Sequence, residues 1–185
     1  MSAGVPVDER SVKAAAPAAE RSARVAAAAG GGREVMVIGV GNSLRHDDGA
    51  GLVVARRLRA RRGGVPITVR EHEDETLALL DLWAGSDAVV LVDAIRSGAT
   101  PGTIHRFDAS EEPLPSELRG SSSTHAVGIG EAIELARSLQ RLPRRVLVLG
   151  VEGRRFDAGV GLSAEVEAGV DSLADLVLGE ARALV

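Results

Sequence analysis

The sequence has no cysteine and no tyrosine, and it carries one tryptophan (Trp83) and two phenylalanines (Phe107, Phe156). Without thiols there can be no disulfide, no thiolate zinc site, no iron–sulfur cluster and no cysteine nucleophile. Any metal must therefore be met by histidine and carboxylate. Aromatics at 2% are too few to stack single-stranded bases, so the core must be aliphatic. Positive charge is not in excess either. Lys and Arg number 22 against 26 Asp and Glu, a net charge of −4, which gives nucleic acid or an anionic membrane no electrostatic hold. No run reaches the ~18 apolar residues of a spanning helix. Near the N-terminus Val25 to Ala29 falls short of the roughly 7–15 residues at the centre of a signal peptide, which points to a cytoplasmic protein.

What is present is the balance of a globular domain. The chain has 185 residues, 45% apolar and 26% charged, enough for one domain with a sizeable core. Residues 1–33 hold eleven Ala and four Gly and read as a disordered or flexible Ala/Gly-rich extension. The folded domain is expected over 34–185. There, short β-branched runs alternate with helical stretches. Val35 to Ile38, Ala88 to Val92 and Val146 to Leu149 read as buried strands, with further strands from Ile67 and over Thr103 to Phe107, the last towards an edge. Helices are expected over Gly49 to Arg62, Glu75 to Ala84, up to Leu139 after a polar loop, and from Ser163 to Leu184. The last carries a stripe of Val166, Val170, Leu173 and Val177. The alternation predicts an α/β fold with a mostly parallel sheet covered on both faces. Such sheets bind ligands beyond the carboxyl ends of their strands, near the point where strand order reverses.

Three residues fall at such ends. The first strand is followed by Gly39-Val40-Gly41-Asn42-Ser43-Leu44-Arg45-His46-Asp47-Asp48-Gly49-Ala50-Gly51. Leu44 stands where a dinucleotide fingerprint needs its third glycine. Two carboxylates at a helix start would also repel a pyrophosphate. The loop offers anionic oxygen, suited to a cation or to general-base chemistry. One Asp is expected to cap the helix, which leaves the other without a capping role. Asp93 ends a central strand, where it is placed for a site or for pairing with Arg96. His125 opens a helix, where the dipole favours the neutral imidazole that binds metals. Two oxygens and one nitrogen suit borderline divalent ions, nickel, zinc, manganese or iron among them. His46, His72, His105 and the arginines from Arg56 to Arg62 read as structural or solvated.

These segments resemble one family. Gly39 to Gly51, Val92-Asp93-Ala94-Ile95 with Ser97-Gly98 and Pro101-Gly102-Thr103, Ser123 to Gly128, Gly150-Val151-Glu152 and Gly159 to Ser163 follow the order found in the nickel–iron hydrogenase maturation proteases. The likeness runs from about Val35 to Asp175. It implies a three-layer α/β/α fold, phosphorylase/hydrolase-like, with a twisted five-stranded sheet in which one strand opposes the rest. It implies an endopeptidase that removes the C-terminal extension of a nickel-loaded large-subunit precursor. The trio that would contact nickel and carry catalysis is Asp48, Asp93 and His125. Gly41, Asn42, Asp47 and Gly49 lie where they would contact the substrate. The nickel would be carried by the precursor rather than tightly bound. Either it activates water, or a carboxylate such as Asp48 acts as general base while the metal positions the partner. The stretch Glu71-His72-Glu73-Asp74-Glu75-Thr76 is more acidic than the family's glycine-containing turn. Alternatives are a non-enzymatic nickel-sensing assembly factor, a nucleotide-binding α/β protein, and an unrelated metallohydrolase.

Overall fold

The structure is a computed structural model that describes residues 34–73, 76–115 and 128–185. The N-terminal extension and His125 lie outside the described residues. Five strands, β1 (Val35–Val40), β2 (Ile67–His72), β3 (Ala88–Ile95), β4 (Ile104–Asp108) and β5 (Arg145–Glu152), form one sheet in the order β2-β1-β3-β5-β4. All pairs are parallel except β4 with β5. The sheet is thus mostly parallel with one opposing strand, at an edge. β1, β3 and β5 read as near-continuous Val, Leu and Ile because both their faces are covered.

Helices α1 (Ala50–Arg61), α2 (Leu79–Leu82), α3 (Ile129–Ser138) and α4 (Ala164–Leu184) supply the covering layers. On one face, Val54 and Leu58 of α1 and Val166, Val170, Leu173 and Val177 of α4 pack on Val35, Val37, Val90, Leu147 and Leu149. On the other, Leu79, Leu80, Trp83 and Ile133 pack on Met36, Ile38, Val89, Leu91 and Val148. The four stripe residues of α4 are fully buried. Each contributes roughly 1.5–3 kcal/mol by leaving water, which fixes the helix against the sheet far more firmly than its propensity could.

Two elements depart from their expected extents. The helix expected over Glu75 to Ala84 is a 3-10 turn (Thr76–Ala78) running into the single turn of α2, and Glu75 lies outside the described residues. Buried Trp83 ends α2, and Gly85, at φ +86°, turns the chain away. β3 continues past Asp93 because β5 keeps pairing with it as far as Ile95 and Glu152.

The connection from β1 leads to β2 on one side, and the next leads back across to β3 on the other. Strand order reverses between β1 and β3. The first turn of α1 sits against both strand ends at this point. A Cβ on Gly51 would lie 2.2 Å from the carbonyl oxygens of Val40 and Val92, and one on Gly39 would lie 2.1 Å from that of Gly51. Only glycine permits so close an approach, which delivers the preceding acids to the sheet's edge.

Candidate active site

The 3-10 turn His46–Gly49 leads directly into α1. It brings Asp48 to the end of β1, while β3 supplies Asp93 beside it. The two acids are 45 positions apart in sequence and 3% and 6% exposed. Alternation along β3 puts Asp93 on the face of Val89 and Leu91, which α2 and α3 cover. Its carboxylate accepts the Ala94 backbone N–H at 2.8 Å. Burial, and then the negative charge of Asp48, push its carboxyl well above the usual carboxylate range, against the opposing pull of the Ala94 bond. The Asp48 carboxylate lies 3.9 Å from Arg45 Nε. Arg45 also donates from Nη2 to the Phe156 carbonyl at 2.5 Å. Arg96, a sequence candidate to pair with Asp93, instead lies 4.4 Å over the Phe156 ring.

Neither acid of the doublet caps the helix. No side chain hydrogen-bonds to the start of the 3-10 turn or of α1, so the capping expectation is corrected. The turn flows into α1 without a break, and Asp47 is drawn elsewhere. It is fully buried and accepts the backbone N–H groups of Arg154 and Arg155, each at 2.8 Å, and that of Ser163 at 2.6 Å. The Ser163 hydroxyl donates to it at 2.9 Å. Burial alone would raise the Asp47 carboxyl, but these bonds outweigh it and hold the group below its usual value.

Asp47 thus clamps the loop after β5 against the loop after β1. Backbone bonds reinforce the join: His46 N–H to Gly159 O at 3.0 Å, Asp47 N–H to Arg155 O at 3.0 Å, and Gly159 N–H to Leu44 O at 2.8 Å. His46, at φ +50°, lays its ring where a side chain on Gly159 would be. Its Nδ1 sits 3.1 Å from the Gly161 carbonyl.

The other loop residues singled out from the sequence shape the same turn. The Asn42 side chain accepts the Leu44 N–H at 2.9 Å, and its backbone N–H donates to Asp48 O at 3.1 Å. A Cβ on Gly41, at φ +146°, would stand 1.8 Å from that same oxygen. Gly49 is buried and links the 3-10 turn to α1. In the acidic stretch, Glu71 is engaged by Arg56 and Arg59, and Glu73 accepts the Ser43 hydroxyl at 2.8 Å. Asp74 and Glu75 lie outside the described residues. Arg57 pairs with Glu167 and with Asp171, at 2.7 Å from the latter, so this part of the arginine group ties α1 to α4.

Sequence reasoning assigned no role to Glu152 or Ser163. Glu152, 2% exposed, accepts the backbone N–H groups of Ser97 and Gly98 at 2.9 and 2.8 Å and the Ser97 hydroxyl at 2.8 Å. It lies 3.2 Å from His105 Nε2, and it anchors the loop that follows β3. The signal was present, since both residues close quoted motif segments at the end of β5 and the start of α4.

Among the described residues, no group of three or more His, Asp and Glu stands ready to hold a metal. Asp48 and Asp93 form a pair of oxygen donors. α3 begins four residues after His125, on the face that carries Asp93. No described helix is long and apolar enough to cross a membrane.

The chain was compared with known proteins. The family profile for hydrogenase maturation proteases matches residues 74–180. The hydrogenase 2 maturation protease of Escherichia coli K12 is 27% identical over 151 residues, 80% of this chain and 90% of that protein. Among solved structures, the hydrogenase-maturating endopeptidase HybD from E. coli superposes with a TM-score of 0.68 at 27% identity, covering 81% of this chain and 93% of that one. HybD from Thermococcus kodakarensis, a nickel–iron hydrogenase maturation protease, gives 0.63 at 30% identity over 80% and 99%. With the profile spanning more than half its length and the five-stranded fold shared, this chain belongs to the hydrogenase maturation protease family and is a peptidase of that kind.

Proposed function

We propose that this protein removes the C-terminal extension of a nickel–iron hydrogenase large-subunit precursor that already carries its nickel. Asp48, Asp93 and His125 would receive that ion. The observation that carries this reading is the meeting of Asp48 and Asp93 at the switch point of the sheet. Two buried acids within each other's field are unfavourable unless a proton or a cation joins them. Carboxylate oxygen with imidazole suits nickel, and an ion brought by the partner would couple recognition of the loaded precursor to cutting.

The chemistry is amide hydrolysis. Water adds to the scissile carbonyl, the C–N bond breaks, and the leaving nitrogen takes up a proton. A carboxylate of the pair is placed to accept a proton from the water and return it to the amine. Burial and the neighbouring charge of Asp48 raise the proton affinity of Asp93, which supports a role in that exchange. The N-terminal residues 1–33 lie outside the protease domain in this reading, and the site of action is the cytoplasm.

The test is incubation with the nickel-loaded and the nickel-free precursor, read by mass spectrometry. Loss of the extension from the loaded form alone is the expected result. Trimming of both forms at equal rates would remove nickel from the recognition step. Binding of the loaded precursor without any trimming would favour the assembly-factor reading.

A further inference from the structure

The two most exposed large apolar side chains among the described residues are Val160 at 73% and Leu44 at 66%. They lie 116 positions apart in sequence, yet both flank a single backbone bridge, Arg45 with Gly159. The Leu44 carbonyl accepts one of the bridge's two hydrogen bonds, from the Gly159 N–H at 2.8 Å. The bridge is locked from beneath by the Asp47 carboxylate and by the His46 ring on Gly159. Arg45, between Leu44 and the acids, reaches Asp48 on one side and the Phe156 carbonyl on the other.

Two aliphatic side chains are therefore held out in water by loops that spend many hydrogen bonds on holding them still. Single exposed aliphatics are ordinary on a protein surface. A pair brought to one backbone bridge from loops 116 positions apart, beside the turn that carries Asp48, is arranged for contact. Charged groups stand beside the bridge: Arg155 lies 2.9 Å from the His46 ring that covers Gly159 and pairs with Asp157 at 3.2 Å. An apolar centre within a polar rim is the usual anatomy of a protein-binding patch. The occupant is set by its position. A peptidase brings a polypeptide to its acids, and the loop that carries Leu44 runs directly into the turn that carries Asp48.

We infer that Leu44 and Val160 form an apolar docking point for the precursor polypeptide, taking one or more of its aliphatic or aromatic side chains next to the bond to be cut. The inference rests on the peptidase reading above. The patch is preorganised, so it contributes binding rather than chemistry.

The experiment is steady-state trimming of a nickel-loaded large-subunit precursor from the same organism by the full chain and by Leu44→Ser, Val160→Ser and the double variant. Leu44→Met and Val160→Ile serve as apolar controls. The apparent KM should rise about tenfold for either serine variant and further for the double, with kcat retained and the apolar controls close to the parent. Melting temperature and circular dichroism should be unchanged, as expected for exposed positions. An unchanged KM in the double variant would overturn the proposal. So would a loss confined to kcat, or a parent protein that sediments as a dimer which the serine variants convert to monomer, since the patch would then serve a second copy. Failure of the parent itself to trim any such precursor would instead sink the peptidase reading.

Discussion

Asp47 and Asp48 are adjacent in the chain and almost equally hidden from water, yet they meet different surroundings. Three backbone N–H groups and a hydroxyl converge on Asp47, so its charge is matched and its proton is released more readily than usual. Asp48 faces a second acid, and that acid, Asp93, is driven to keep its proton. The contrast teaches that burial alone does not mark a reactive carboxylate. What differs is the company each carboxylate keeps: backbone donors and a hydroxyl around Asp47, Arg45 at 3.9 Å and a second acid around Asp48. Glu152 falls on Asp47's side of the line, with Ser97 and Gly98 donating to it.

The largest expected effect tests the chemical pair. Asp48→Asn and Asp93→Asn should each lower precursor trimming by about a hundred- to ten-thousandfold, as should His125→Ala, while urea unfolding shows no loss of stability. Ordinary trimming by any of the three would withdraw that residue from the site. Asp47→Ala should behave oppositely. Three backbone donors lose their acceptor inside the protein, at about 3 kcal/mol or more of folding stability, read as a lower urea midpoint. If Asp47→Ala unfolds like the parent but fails to trim, the division between the two acids is wrong.

Acid and base should separate them further. The folded Asp47 holds its proton less tightly than the unfolded residue does. Its contribution is therefore complete above the unfolded value of about 4 and fades as pH falls through the depressed folded value. Asp93 runs the other way. It costs nothing below about 4, where folded and unfolded forms both keep the proton, and its cost grows as pH rises through the raised folded value. In chelator-treated protein, Asp93→Asn should thus gain stability relative to the parent at alkaline pH and lose that gain on acidification. Asp47→Ala should be hurt most near neutrality and least in acid. Parallel denaturation curves across pH for both variants would refute the scheme. The smallest effect is that of Ser163→Ala, which deletes one of the four bonds to Asp47 at about 1 kcal/mol, with trimming intact.

Much of the architecture was legible because each strand is written locally. Val35 to Ile38 and Ala88 to Val92 announce themselves by composition, and the placement of ligands at strand ends then picks out Asp48 and Asp93. The resemblance supplied the opposing strand, which a short segment such as Ile104–Asp108 does not declare by itself. The clamp was not legible. Asp47 and Ser163 are 116 positions apart, and no periodicity or propensity links them. The local rule, that an acid at a helix start caps it, pointed Asp47 towards its own helix. Tertiary contacts took it to the N-cap residue of another, Ser163, and to the loop after β5. His125 was nominated together with the two acids and through the resemblance, and it lies outside the described residues.

The join between the two loops also bears on when the enzyme comes into being during synthesis. Both acids have been translated by position 93, but the groups that lock the turn beside them, from Arg154 to Ser163, emerge from the ribosome at least 61 residues later. A nascent or prematurely terminated product would hold Asp48 and Asp93 without the brace that seats them. The turn beside the acid pair is thereby seated only once the segment from Arg154 to Ser163 has been made.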